Sequence, residues 1–194
     1  HLEMAGFCLD AQLSWPQTVW DVAQAVPGAH DLVSLQAALY AAQLAGALMT
    51  VFSRTLQYAN DRQQFGKPIG KFQAIQHQLA VVAENVAATR MAAEIGCTAA
   101  GCLPVLLRAA AGKARASEAA SLVAPLAHAI HGAIGVTAEL DLQLFTRRIH
   151  EWRADFGSEL HWNRELGHAF IADGRGALEF IRTSLIPSNK EISA

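Results

Sequence analysis

Apolar residues recur every three or four positions from Leu32 to Ala59, and no proline interrupts them. Leu32, Leu35, Leu39, Ala42, Ala45, Met49, Phe52, Leu56 and Ala59 mark one continuous helical face. Asp31 stands before the run as an acceptable N-cap. At 1.5 Å per residue, a helix of roughly 30 residues spans roughly 45 Å. Such a rod is covered best by other long helices, which points to a bundle. Gly46 lies inside the run, where a lone glycine is tolerated at a cost of about 1 kcal/mol.

The rest of the chain repeats the theme. A second helix starts near Phe72 or Gln73 and carries Ile75, Leu79, Val82, Val86, Thr89, Ala93 and Cys97. Gly96, Gly101 and Pro104 end it, and Pro104 suits the first turn of a third helix. That helix runs through Ala109, Ala116, Val123 and Ile130 to a stop at Gly132 and Gly135. Shorter helices follow over Asp141 to Arg153 and Ser158 to Ala172, then a break at Gly174-Arg175-Gly176 and a short helix over Ala177 to Leu185. The expected fold is an all-α, up-and-down bundle of three long helices and two or more short ones over residues 29–186. Residues 1–28, with a turn at Val26-Pro27-Gly28, read as a linker or the remnant of a preceding domain. His1 to Met4 reads either as an appended remnant or as a cut inside a larger protein. Residues 187–194 read as a mobile tail. No internal repeat and no period-two strand run stands out.

Composition narrows the function. Net charge is −2 and the basic residues are scattered, so nothing draws the chain to nucleic acid. Arg, Gln, Asn or His interrupts each apolar run short of membrane-spanning length. Cys8, Cys97 and Cys102 lack metal spacing and suit reduced thiols in a cytoplasm-like compartment. His128 and His131 lie three apart with no carboxylate at ligand spacing, so no metal site is expected. There is no G-x-S-x-G and no cysteine partnered as a nucleophile.

Between the first two helices lies Arg62-Gln63-Gln64-Phe65-Gly66-Lys67-Pro68-Ile69-Gly70-Lys71-Phe72-Gln73. Read alone, Arg62 is a solvated cation complementing a helix C-terminus, and Phe65 is a core plug. The pattern R-x-x-F-G-x-P-I-x-x-F-Q-x-x-Q resembles the acyl-CoA dehydrogenases, at the hairpin between the first two helices of their C-terminal helical domain. The resemblance recurs at His131-Gly132-Ala133-Ile134-Gly135 and from Asp141 to Arg148. It covers most of the chain but only the last of the family's three domains. It implies that Arg62, Gln64 and Phe65 grip the pyrophosphate and adenine end of FAD held mainly by a neighbouring subunit. A guanidinium forking onto phosphate oxygens fits that role. Phe72 and Gln73 match a second flavin-contacting pair. Residues 129–135 match a flavin-contacting loop that usually reads Gln-x-x-Gly-Gly-x-Gly, with His131 and Gly132 at its centre. Ala129 replaces the Gln and Ala133 replaces a Gly. Small residues there let backbone approach a ligand. Thr137, Glu139, Asp141, Leu142, Leu144, Arg147 and Arg148 continue the family pattern, and all but Arg147 also read as a helix start with solvated charges.

The family oxidises an acyl-CoA thioester between its α and β carbons. A carboxylate, usually Glu, takes the α proton. The two positions where members carry that Glu fall here on Phe156 and Gln36, and Ala37 stands where an Arg commonly follows. Neither Phe156 nor Gln36 can take a proton from carbon. Asp155 is the nearest carboxylate, and its plain reading is a cap on the helix opening near Ser158. The resemblance therefore implies a subunit of a FAD-dependent acyl-CoA dehydrogenase with a degenerate acyl site, in a homo- or hetero-oligomer. Two rivals are a full enzyme using Asp155 or a base from other domains, and a helical oligomerisation module that has lost flavin.

Overall fold

The computed structural model describes residues 2–5, 10–24, 32–100 and 103–187. A hairpin of β1 (Leu2–Ala5) and β2 (Asp10–Leu13) is followed by a short helix α1 (Gln17–Asp21). The body consists of α2 (Leu32–Asp61), α3 (Gln73–Gly96) and α4 (Leu106–His131), with α5 (Leu142–Ala154), α6 (Glu159–Asp173) and α7 (Ala177–Phe180) packed around them. A π-helical turn, Ile181–Leu185, extends α7. The connections α2–α3 and α3–α4 are short, which forces antiparallel neighbours. The all-α bundle expected from periodicity is the fold that forms. The Asp31 cap, the turn at 26–28, Cys8, Cys102 and the tail at 188–194 lie outside the described residues.

Three features differ from the sequence reading. Each connector contains a small antiparallel pairing: β3 (Gln63–Gln64) with β4 (Lys67–Pro68), and β5 (Ala99–Ala100) with β6 (Leu103–Pro104). Strands of two to four residues are too short to print a period-two pattern. Pro104 consequently ends β6 instead of opening α4, and Val105, with extended backbone (φ −72°, ψ 122°), takes the N-cap place.

The second difference concerns which face of α2 is buried. Leu32, Leu39, Met49 and Leu56, read as the core stripe, are 38–58% exposed. The buried face is Ser34, Ala37, Ala38, Ala41, Leu44, Ala45, Leu48, Val51 and Thr55. Much of that face is alanine, and it meets an equally small face of α4: Ala109, Ala110, Ala116, Ala119 and Ala120 are all at most 1% exposed. Two helices approach most closely where side chains are small; Leu32 and Leu39 face outward, while Leu44 and Leu48 are fully buried. Thr55 satisfies its hydroxyl on Val51 O at 2.7 Å, as Thr89 does on Asn85 O.

The third concerns apolar length. Two stretches, Leu32–Asp61 and Leu106–Val136, reach a mean hydropathy of 1.5 over a membrane-spanning window. Single Gln or Arg residues do not break an alanine-rich window, contrary to the sequence reading. In this structure the two are the central helices and pack most extensively on each other.

α3 and α4 cross at two glycines. A Cβ on Gly112 would lie 2.9 Å from Ala92 O, and one on Gly96 would lie 3.1 Å from Arg108 O. Gly46, in mid-α2, has nothing within 4 Å of that position. Gly46→Ala should therefore raise unfolding free energy by about 0.5–1 kcal/mol. Gly112→Ala should lower it by about 1–3 kcal/mol, because backbone must move. Urea titrations of both variants check the pair; equal effects would refute the close crossing.

Candidate functional site

α2 ends at Asp61, and Arg62 N still donates to Tyr58 O at 2.8 Å. The chain then reverses in the β3–β4 hairpin, whose two loop residues, Phe65 (φ 51°) and Gly66 (φ 77°), both have left-handed backbone. Two positive φ angles are what a tight two-residue hairpin of this hand demands. Glycine adopts them freely; a bulky phenylalanine does so under strain. Ile69 N donates to Arg62 O at 2.8 Å and closes the loop. Phe65 is not a core plug: it is 91% exposed at the hairpin tip. Its ring meets Phe72 edge-on at 6.2 Å, and Lys67 Nζ sits 4.3 Å over the Phe72 ring.

Beside this hairpin, α4 ends at His131, and Gly132 (φ 67°, ψ −149°) turns the chain into a 3-10 segment, Gly132–Val136. The two connectors enclose a cavity of about 660 Å³. Arg62, Gln64, Phe65, Phe72, His131 and Gly132 all line it, together with Tyr58, Ile69, Ile75, Ala129, Ala133 and Ile134. Gln73, the first residue of α3, is exposed and does not line it. Among the described residues the Arg62 guanidinium has no ion-pair partner. Tyr58 was missed by the sequence reading. It stacks on His131 at 4.3 Å, and its hydroxyl donates to His131 O at 3.2 Å. The signal was its position four residues before Arg62, on the same helical face. Gly132 offers open space where a Cβ would stand, so backbone is accessible there.

A second feature lies at the other end of the bundle's contacts, in the turn between α5 and α6. Phe156 (φ 50°) and Gly157 (φ 93°) are again consecutive left-handed residues. A Cβ on Gly157 would fall 2.5 Å from the His161 ring. The Phe156 ring packs against Tyr40 of α2 at 5.1 Å. Gln36 lies one helical turn before Tyr40, so positions 36 and 156 address the same region. Asp155 is the C-cap of α5, and Ser158 occupies the N-cap of α6. The reading of Asp155 as the cap of α6 is thus corrected.

A family model of the acyl-CoA dehydrogenase C-terminal domain matches residues 30–159. This chain belongs to the acyl-CoA dehydrogenase family. It is 37% identical over 124 residues to "Acyl-CoA dehydrogenase IpdE2" of Mycobacterium tuberculosis, covering 64% of this chain and 37% of that protein. The butyryl-CoA dehydrogenase structure from Megasphaera elsdenii superposes with a TM-score of 0.67 at 26% identity, over 72% of this chain and 37% of that one. The ChsE4-ChsE5 complex from Mycobacterium tuberculosis superposes with a TM-score of 0.68 at 26% identity, over 72% and 38%. The chain thus spans little more than a third of the length of these relatives.

In this acyl-CoA dehydrogenase domain the histidines are engaged within the protein. His128 Nε2 lies 2.9 Å from Thr146 Oγ1, and His131 Nδ1 lies 2.8 Å from Ala127 O. Burial lowers the pKa of both, and the charges of His131 and His150 lower that of His128 further. Beneath the Phe156 turn, Lys113 is fully buried. Burial lowers its pKa to about 8, against the pull of the Asp155 and Glu159 carboxylates and with a small push from Arg153. Sequence gave no hint of it beyond Ser117 one turn on.

These shifts share one sign. Below about pH 6.5 the unfolded chain binds the histidine protons more readily, so stability falls as pH drops through that range. Between about 8 and the ordinary lysine value the unfolded chain also binds more protons, so stability rises with pH there. Urea midpoints across pH should climb in both windows, and Lys113→Met should lack the alkaline limb. Burial pushes the Cys97 thiol up and opposes this climb, so the decisive comparison is with Lys113→Met: a wild-type midpoint that gains no more between about pH 8 and pH 10 than that variant's would contradict the burial of this charge.

Proposed function

We propose that this chain is the C-terminal domain of a FAD-dependent acyl-CoA dehydrogenase system acting on the α,β bond of an acyl-CoA thioester, and that it serves as the subunit with a degenerate acyl site. The observation that carries the second half is Phe156, an aromatic hydrocarbon packed on Tyr40 where the family's carboxylate would stand. Gln36, the other family position, is a neutral amide on the same side of α2. We assign residues 29–186 to the helical domain and residues 1–28 to a linker or the end of a preceding domain. The three cysteines suit a cytoplasm-like compartment.

The residues around the 660 Å³ cavity fit a dinucleotide. The Arg62 guanidinium, without an ion-pair partner among the described residues, suits phosphate oxygens. Tyr58, Phe65, Phe72 and the surrounding isoleucines offer apolar cover for a planar ring. FAD, when bound, supplies the acceptor for the hydride lost from the acyl β carbon. Arg62 would hold its phosphate end, Gln64 and Phe65 would cover the adenine, and Gly132 would admit close backbone approach. Ala133 narrows that approach by a methyl group, and Ala129 gives no side-chain hydrogen bond. An exposed phenylalanine held in strained backbone at a hairpin tip suits insertion beside a cofactor shared with a neighbouring subunit. That supports a homo- or hetero-oligomer; the related ChsE4-ChsE5 structure is itself a complex of two named chains. Asp155 is the weaker candidate base. It is half-buried, and its charge acts on the buried Lys113.

Two measurements test this reading on the assembled protein. In FAD titrations, Arg62→Ala should weaken binding by about 1.5–3 kcal/mol, the loss of a charge-assisted contact. An unchanged dissociation constant would remove Arg62 from the site.

The second is anaerobic flavin bleaching by a panel of acyl-CoAs. Wild type should bleach at background rate, and Gln36→Glu or Phe156→Glu should recover part of the roughly 10²–10⁴-fold that a positioned base contributes. Rapid wild-type bleaching that disappears in Asp155→Asn would overturn the degenerate-site reading and make Asp155 the base.

A further inference from the structure

Lys113 lies in the N-terminal third of α4 with no solvent exposure. An ammonium has three N–H donors, and here Nζ donates to Ser117 Oγ at 3.0 Å, Arg153 O at 3.0 Å and Gly157 O at 2.8 Å. The Arg153 carbonyl belongs to the last turn of α5, where helical partners run out. The Gly157 carbonyl closes the turn that follows. One side chain thus ties both ends of the segment 153–157 to α4. Trp162 of α6 grips the middle, its Nε1–H donating to Phe156 O at 3.0 Å. The segment needs such restraint, because a phenylalanine in left-handed backbone persists only where its surroundings over-determine it.

We propose that Lys113 is the positioning residue of the acyl-site turn: its ammonium, bonded to the Arg153 and Gly157 carbonyls, fixes the left-handed conformation that turns residue 156 onto Tyr40 of α2. In naming the turn an acyl site, the proposal rests on the function proposed above; the restraint itself does not. Filling space is a poor reason for this lysine. Its charge is costly to bury, and an apolar side chain of similar volume is often no less stabilising in such a place. What an apolar side chain cannot do is bond two carbonyls at once. α4, which also ends at the 660 Å³ cavity, thereby sets the direction of the side chain at 156.

Hydrogen exchange of the purified chain, read by mass spectrometry, tests this together with the indole N–H resonance of Trp162. In Lys113→Met, peptides covering 153–158 should exchange at least roughly tenfold faster, as for a lost charge-assisted hydrogen bond. The Trp162 indole should lose protection, while peptides from α2 and α3 exchange as in wild type. Lys113→Gln, whose shorter, neutral amide loses the charge, should give the same pattern with smaller amplitude and serves if Lys113→Met does not fold; Ser117→Ala does not isolate Lys113, because the Ser117 hydroxyl itself donates to Arg153 O at 3.4 Å. Unchanged exchange at 153–158 would overturn the proposal. So would a loss spread evenly over α2, α3 and α4, which would make Lys113 an ordinary packing residue. Neither flavin nor acyl thioester enters this measurement. A turn loosened by Lys113→Met, combined with a Phe156→Glu variant that stays inactive, would overturn the acyl-site reading and leave the positioning role standing.

Discussion

The structure depends on the close approach of α4 to its neighbours. Gly112 and Gly96 bring α4 and α3 almost into backbone contact, and the alanine faces of α2 and α4 do the same on the other side. Packing of this kind draws on dispersion between many small groups and tolerates little added volume. It also fixes the helices in register along their length, so features at opposite ends are positioned by one rigid element. The C-terminus of α4 supplies one wall of the cavity. Its N-terminal third supplies the lysine beneath the α5–α6 turn.

Both candidate sites are built on the same local device. Each places an aromatic residue at φ near 50° directly before a left-handed glycine: Phe65-Gly66 and Phe156-Gly157. Strained backbone of this kind concentrates where a side chain must point in a direction that relaxed backbone does not offer. Phe65 points into solvent beside the cavity, and Phe156 points onto Tyr40. The first suits a surface completed by another subunit. The second, on the function we propose, fills a place where proton abstraction would need a carboxylate.

Much of this was legible in the residues. The long period of apolar positions and the Gly/Pro connectors required a bundle, because no other arrangement covers helices of that length. The motif from Arg62 to Gln73 marked the hairpin as more than a turn, and its Arg62, Gln64, Phe65, Ile69 and Phe72 line the cavity while Gln73 does not. The spacing from Gly135 singled out Phe156, which stands with left-handed backbone in the turn between α5 and α6. What failed was the assignment of faces. The stripe from Leu32 to Ala59 took in Ala45 and Ala59, which are buried, but also Leu32, Leu39, Ala42, Met49 and Leu56, which are exposed, because spacing within α2 does not tell which of its alanines meet the alanine face of α4.

The sequence by itself determined the helical fold, the family, and the residues that would meet at the hairpin, because these follow from local periodicity and from a contiguous motif. Tertiary structure alone decided which face of α2 is core, that Phe65 stands in solvent, that Tyr58 stacks on His131, and that Lys113 holds the turn bearing Phe156. The physical reason is range. Each of these depends on a contact between residues distant in sequence, and no spacing within a single helix encodes what packs against it.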